Sequence, residues 1–178
     1  MQKTVLKMTY AGVFIALSIV LTRVFTVPIQ IAGIQAIRIN LGFIPIILAG
    51  IILGPKYGGA VGGIADILGY LLNSGGGAYF PGFTLTSAMV GILPALMMLK
   101  FKLNIFILFV SIFITTLTVT VLNTFWLVIL FNKGFMILLV PRLLSLLIMC
   151  PVYTFFVYYL KKILDKTLRY KAVFNNFK

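Results

Sequence analysis

The sequence predicts an all-α membrane protein, a bundle of six transmembrane helices with both termini cytoplasmic. Three observations predict it. Of 178 residues, 62% are apolar with glycine left out and only 10% are charged, against about 45–50% (glycine included) and about 25% for soluble domains. Four stretches, 39–55, 67–99, 103–132 and 143–160, carry no charge, and each is long enough, or nearly so, to cross a ~30 Å hydrocarbon core. The cations punctuate these stretches instead of forming a solvated face. One soluble domain of this length could not hide so much apolar surface, so the excess faces lipid. Disorder and a disulfide scaffold are excluded.

Six helices are expected, at roughly 4–26, 40–54, 57–73, 83–99, 103–131 and 134–162, in a single integral membrane domain spanning 1–178 with a basic cytoplasmic tail at 163–178. The first runs on without a polar region and small-residue cleavage site, so it does not read as a cleavable signal peptide. The second is a plain apolar run. The third holds Gly58/Gly62 and Gly59/Gly63 at four-residue spacing, which lets helix backbones approach closely in lipid. Asp66 follows Gly62 by four, so it is expected on that close-packed face, about 14 Å from the helix start. A lone intramembrane carboxylate costs about 2.5 kcal/mol or more and is expected to have a polar partner or a wet cavity.

The connection to the fourth helix reads NSGGGAYFPGFT. Gly75, Gly76 and Gly77 form an expected hinge, and Tyr79, Phe80 and Phe83 surround a Pro-Gly turn as a lid over an apolar opening; insertion of these rings into headgroups is the alternative. The fifth segment, 103–132, would measure about 45 Å as one helix and must tilt, bend or protrude. Thr116, Thr120, Asn123 and Thr124 make a polar stripe along it, with Trp126 one turn after Asn123. Interhelical hydrogen bonding and an interfacial belt are the ordinary reading of that stripe, and a cavity is the other.

An even number of spans puts both ends of the chain on one side. Eleven cations (Lys3, Lys7, Lys56, Lys100, Lys102, Lys161, Lys162, Lys166, Arg169, Lys171 and Lys178) fall on that side and only Lys133 clearly on the other, so both termini are expected to be cytoplasmic. Arg23, Arg38 and Arg142 lie at or near outer helix ends and are not explained by topology. The tail from Lys161 onward reads as positive-inside charge with attraction to anionic lipid. The basic residues give no sign of a nucleic-acid surface.

Absences narrow the chemistry. With no His, imidazole bases and His metal sites are excluded, and no metal or cofactor is expected. The single Cys150 reads as core. Asp66 and the distant Asp165 make no acid/base dyad, and no P-loop sequence occurs. A membrane enzyme is therefore the least favoured class, and energy must come from a partner or a gradient. Three arginines, a carboxylate, an Asn-Trp pair and an aromatic flap on the outer half imply an anionic, partly aromatic, extracellular ligand, because guanidinium forks suit carboxylate or phosphate and rings suit a planar heterocycle.

The stretch RINLGFIPIILAGIILGPKYGGAVGGIAD from Arg38 to Asp66, followed by YFPGFT, NTFWL and PRLLSLLIMCP, resembles the substrate-binding membrane subunits, or S components, of energy-coupling-factor vitamin transporters. Within that group it is most similar to the folate-specific branch. The resemblance implies a bacterial plasma membrane location, capture of folate from outside, and association with a transmembrane coupling subunit and two cytosolic ATP-binding subunits. It also implies a small-xxx-small docking face on the first helix, supplied here by Gly12 and Ala16 with Ala11 adjoining. On this reading Arg38 and Arg142, with Arg23 as a third, hold the glutamate carboxylates. Trp126, Tyr79, Phe80 and Phe83 stack on or cover the rings, and Asn123 and Asp66 meet the amino-pyrimidine edge, unless Asp66 lies too deep and pairs with an Arg. An S component for riboflavin or pantothenate, or a proton-coupled secondary transporter, remains open at this stage.

Overall fold

Glycine and proline set the joints of the helical bundle. The computed structural model describes residues 2–24, 27–31, 34–72, 79–101, 103–131 and 134–166, with the backbone alone for 2–3, 27–31, 34–39 and 131. Six helices are present among the described residues: α1 (Gln2–Val24), α2 (Phe43–Leu53), α3 (Pro55–Leu72), α4 (Pro81–Lys100), α5 (Ile105–Phe131) and α6 (Phe135–Lys166), with strands β1 (Val27–Ile31) and β2 (Ile34–Ile39) between α1 and α2. Gly54 ends α2 at φ 101°, a conformation only glycine takes cheaply, and its N–H reaches Gly50 O at 3.0 Å. Pro55 then opens α3 and Pro81 opens α4, the position where a missing N–H costs nothing.

The bundle is helical as expected, with an antiparallel hairpin added to it. β1 pairs with β2 from Val27↔Ile39 to Ile31↔Ile34, with an irregularity between Ile29 and Gln30. Part of its signal was present: Val27, Ile29 and Ile31 stand at a two-residue period, and Ile37 and Ile39 repeat it after an Ala-Gly pair. The dominance of helical apolar runs obscured it. The hairpin takes the chain from the end of α1 to the start of α2, which begins at Phe43, later than position 40.

Helix α2 is the centre of the packing. Nine of its residues, Ile44 to Gly50 with Ile52 and Leu53, are buried, and it touches α1, α3, α4 and α6. Three glycines make this possible: a Cβ on Gly58 of α3 would stand 2.5 Å from Gly50 Cα and 2.6 Å from Gly91 O, and one on Gly91 of α4 would overlap Gly58. One pair of the expected close-packing glycines therefore works as expected, Gly58 against α2 and α4 and Gly62 against Ser87 of α4. Of the other pair, Gly59 meets the side chain of Ile92 but Gly63 finds only Thr84 Cγ2 at 3.8 Å. The remaining core joins Leu108, Ile112 and Val119 of α5 to Met149, Cys150, Tyr153 and Val157 of α6. Cys150 is a free, buried thiol, as its sequence context implied.

Outside this core the helices present large apolar side chains. Phe106 is 70% exposed, Met136 68% and Leu71 72%, too many such groups for a surface in water. Among the described residues four helices, α1, α4, α5 and α6, are long and apolar enough to cross a membrane, whereas α2 is shorter, at 11 residues or about 16 Å. At 32 residues α6 is about 48 Å long. That is longer than a ~30 Å hydrocarbon core, and near its C-terminal end Lys161 pairs with Asp165 at 2.5 Å.

Candidate ligand-binding site

The candidate residues collect at the end of the bundle where α1, α3 and α5 finish and α4 and α6 begin. Asp66 stands six residues before the last residue of α3, about 9 Å from that end, and is half-buried. Its partners are hydroxyls of α4: Thr84 Oγ1 donates to Oδ2 at 2.7 Å and Ser87 Oγ to Oδ1 at 3.2 Å. The Tyr79 hydroxyl lies 2.8 Å from Thr84 Oγ1, and its ring packs on Tyr70 at 5.3 Å. The expected polar partner thus exists, supplied by a serine and a threonine that the sequence reading did not single out. Those two hydroxyls occupy one lone pair on each oxygen, and a carboxylate has about four acceptor positions. It can therefore still accept from a ligand.

An aromatic group lies at the same end of the bundle, where α4 meets α5. Phe80 packs on Trp126 at 5.4 Å and on Phe83 at 5.9 Å, and Phe125 also meets Trp126 at 5.3 Å. Gly82 makes room for the indole: a Cβ there would stand 2.8 Å from Trp126 Cδ2 and 2.5 Å from Phe80 Cε1. An open apolar cleft of about 350 Å³ results, lined by Phe80, Pro81, Gly82, Leu85 and Trp126. Trp126 Nε1 is buried without a hydrogen-bond partner among the described residues, and a buried indole N–H normally has one. The Trp126 ring lines the cleft, while its Nε1 lies buried rather than open to it.

Asn123 sits one turn before Trp126, where its Oδ1 accepts from Thr86 Oγ1 at 2.7 Å. That bond fixes which way its amide NH2 turns. Thr116 and Thr124 donate instead to carbonyls of their own helix, Ile112 O at 2.8 Å and Thr120 O at 2.7 Å. Of the polar stripe of α5, Asn123 bonds to another helix, whereas Thr116 and Thr124 are satisfied by back-bonding.

The arginines are distributed differently. The Arg23 guanidinium donates to the Gly69 carbonyl in the last turn of α3, where helix carbonyls lack intrahelical partners; it clasps α1 to α3. Arg142 lies seven residues into α6 and is half-buried. Arg38 stands on β2 opposite Pro28, and β2 lies against α6, so strand and helix bring the two positions to one side of the bundle. The hinge glycines Gly75, Gly76 and Gly77, and Lys133, lie outside the described residues. On α1, Gly12 and Ala16 are exposed and Ala11 packs partly on the core.

Fold and site together define a polytopic membrane protein with an aromatic-walled cleft and a hydrogen-bonded carboxylate at the same end of its bundle. Residues 6–160 match the family model described as ECF transporter, substrate-specific component. The chain belongs to that family, which makes it a transporter's substrate-binding component and not an enzyme. It is 34% identical over 166 residues to the folate transporter FolT of Clostridium novyi (strain NT), covering 93% of both chains. A crystal structure of FolT bound with folic acid matches with a TM-score of 0.67 at 29% identity, over 96% of this chain and 93% of that one.

Thr84, Thr86, Ser87 and Gly82 are the site residues that sequence reasoning missed. The run PGFTLTS carried a signal, because Thr84 and Ser87 are three apart at a helix start and share a face. What it lacked was the pairing of α4 with α3.

Proposed function

We propose that this chain is the high-affinity folate-binding subunit of an energy-coupling-factor importer in the bacterial plasma membrane. It captures folate from outside and delivers it when docked on a transmembrane coupling subunit driven by two cytosolic ATP-binding subunits. The observation that carries this reading is the Trp126–Phe80–Gly82 cleft, at the same end of the bundle as Asp66, within a fold that matches a folate-bound relative over nearly its whole length. In this reading all six helices span the membrane, both termini are cytoplasmic and the cleft opens outward. The pterin stacks against Trp126 under Phe80, with Phe83 and Tyr79 closing its edge. Asp66 and Asn123 serve the amino-pyrimidine face, whose N–H groups need acceptors. Arg38 and Arg142 hold the glutamate carboxylates, and Arg23 supports the site by holding α1 to α3.

Calorimetric titration with folate tests it. Trp126→Ala should weaken binding about ten- to hundredfold, since ring stacking is worth about 1–3 kcal/mol by alanine substitution. Arg38→Ala and Arg142→Ala should each weaken it by a factor of about ten to several hundred, because removing one partner of a desolvated charge pair costs about 2–3 kcal/mol or more. No heat of binding from folate with the intact protein would remove the folate assignment, and unchanged affinity in all three variants would remove the site.

Docking is separable from capture. A Cβ on Gly12 would meet nothing within 4 Å, so bulk at this position is tolerated by the isolated subunit. Gly12→Leu with Ala16→Leu should leave folate affinity near wild type while ATP-dependent uptake in liposomes with the coupling module falls sharply, because a close helix contact in lipid tolerates added volume poorly. Normal uptake would show that this face is not where the partner docks.

A further inference from the structure

Four polar groups from three distant parts of the chain meet at the turn between β2 and α2. Asn40 Oδ1 accepts from the Gly42 N–H at 2.9 Å and from Thr22 Oγ1 of α1 at 3.2 Å. Its main-chain carbonyl accepts from the Tyr153 hydroxyl of α6 at 2.7 Å, across 113 residues of sequence. Ser18 of α1 donates to the Gly42 carbonyl at 2.9 Å. Tyr153 and Ser18 are 3% and 2% exposed, so these bonds form where water is scarce and are correspondingly strong. Gly42 is required here, because a Cβ would overlap Thr22 Oγ1 and stand 2.8 Å from Ser18 O.

Each strand and helix in this knot leads to one of the arginines. Arg23 follows Thr22 directly, Arg38 precedes Asn40 by two residues on β2, and Arg142 is three turns along α6 from Tyr153. The hairpin is anchored at one end by α1 and at the other by this turn. We propose that Asn40, with Tyr153 and Thr22, forms a positioning hub that fixes the hairpin on the bundle and so sets where Arg38 stands relative to Arg142 during ligand capture. Tyr153 acts through the backbone of Asn40, and Thr22 through the Asn40 side chain. The ligand in this inference is the folate of the proposed function, and the ordering of the hairpin does not depend on that choice.

The test combines hydrogen exchange and a double-mutant cycle on the full chain in lipid nanodiscs. Tyr153→Phe removes one hydroxyl and keeps the ring that packs on Phe43; Thr22→Val removes the second donor. In each variant the amides of 27–39 should exchange about tenfold faster or more, with exchange in α5 unchanged. Folate affinity should fall about tenfold in Tyr153→Phe but by less than threefold when the same change is made on an Arg38→Ala background, because a hub that acts through Arg38 has nothing left to position. Phe43→Leu, which perturbs the same packing without touching the hydroxyl, should leave the exchange of 27–39 at wild-type rates. Unchanged exchange in both hydroxyl variants overturns the hub. Faster exchange with fully additive affinity losses overturns its link to Arg38. If the intact protein fails to bind folate, the exchange rates still decide whether the hub holds the hairpin, and the folate reading alone is lost.

Discussion

Gly91→Leu is expected to abolish recovery of monodisperse, folded protein. A side chain there would overlap the Gly58 carbonyl, with Gly58 Cα at 2.9 Å, and the groups in the way are main chain that no rotamer change can move. Overpacking against side chains costs about 1–3 kcal/mol. Separating α3 from α4 costs more, since it also opens the contact of both helices with Gly50 of α2. The loss should therefore exceed about 3 kcal/mol, enough to consume much of the marginal stability of a domain this size. Gly63→Ala is the matched control, its Cβ meeting only Thr84 Cγ2 at 3.8 Å. It should unfold at or slightly above the wild-type temperature, because Ala favours helix over Gly by about 1 kcal/mol. Size-exclusion profiles and thermal unfolding in detergent give the comparison, and a stable, monodisperse Gly91→Leu protein would show that the three-glycine contact is looser than described.

Asp66→Ala should give the largest loss of ligand affinity among single changes at the polar end of the cleft. Hydrogen bonds to a charged acceptor are worth about 1.5–3 kcal/mol each, so losing the carboxylate's contacts to a pterin edge should weaken folate binding by about a hundredfold or more. Asp66→Asn should fall between, because its amide keeps one acceptor oxygen and presents an NH2 where the ligand also donates. Folding should be affected less than binding. Thr84 and Ser87 lose their acceptor, but each can turn its hydroxyl to a carbonyl of its own helix, as Thr124 does with Thr120 O at 2.7 Å. Titration calorimetry and thermal unfolding on the same samples separate the two effects. Equal affinity in wild type and Asp66→Ala would confine the carboxylate to tying α3 to α4.

The two variants also mark where sequence reasoning succeeds and where it stops. That Gly58 and Gly62 lie on one packed face of a helix follows from a four-residue spacing alone, because helical periodicity is local. So does the demand that Asp66 find a polar partner, because an unsatisfied charge in lipid is too costly to persist. Which groups answer the demand is not local. Thr84 and Ser87 do so because α4 returns along α3, and Gly50, Gly58 and Gly91 meet only once α2, α3 and α4 pack together.

Class and membrane setting were legible by themselves, since composition reports directly on burial in lipid. The aromatic cover and the Asn-Trp pair were also legible as residue types. Their division of labour was decided by tertiary structure: Phe80 goes to Trp126 and Tyr79 to Thr84, Gly82 opens the space for the indole, and Arg23 turns to the end of α3. The hairpin and its knot at Asn40 belong to the same category. Tyr153 reaches Asn40 across 113 residues, and an interaction of that range leaves no periodic trace in the chain, because it depends on which helices the buried α2 draws around itself.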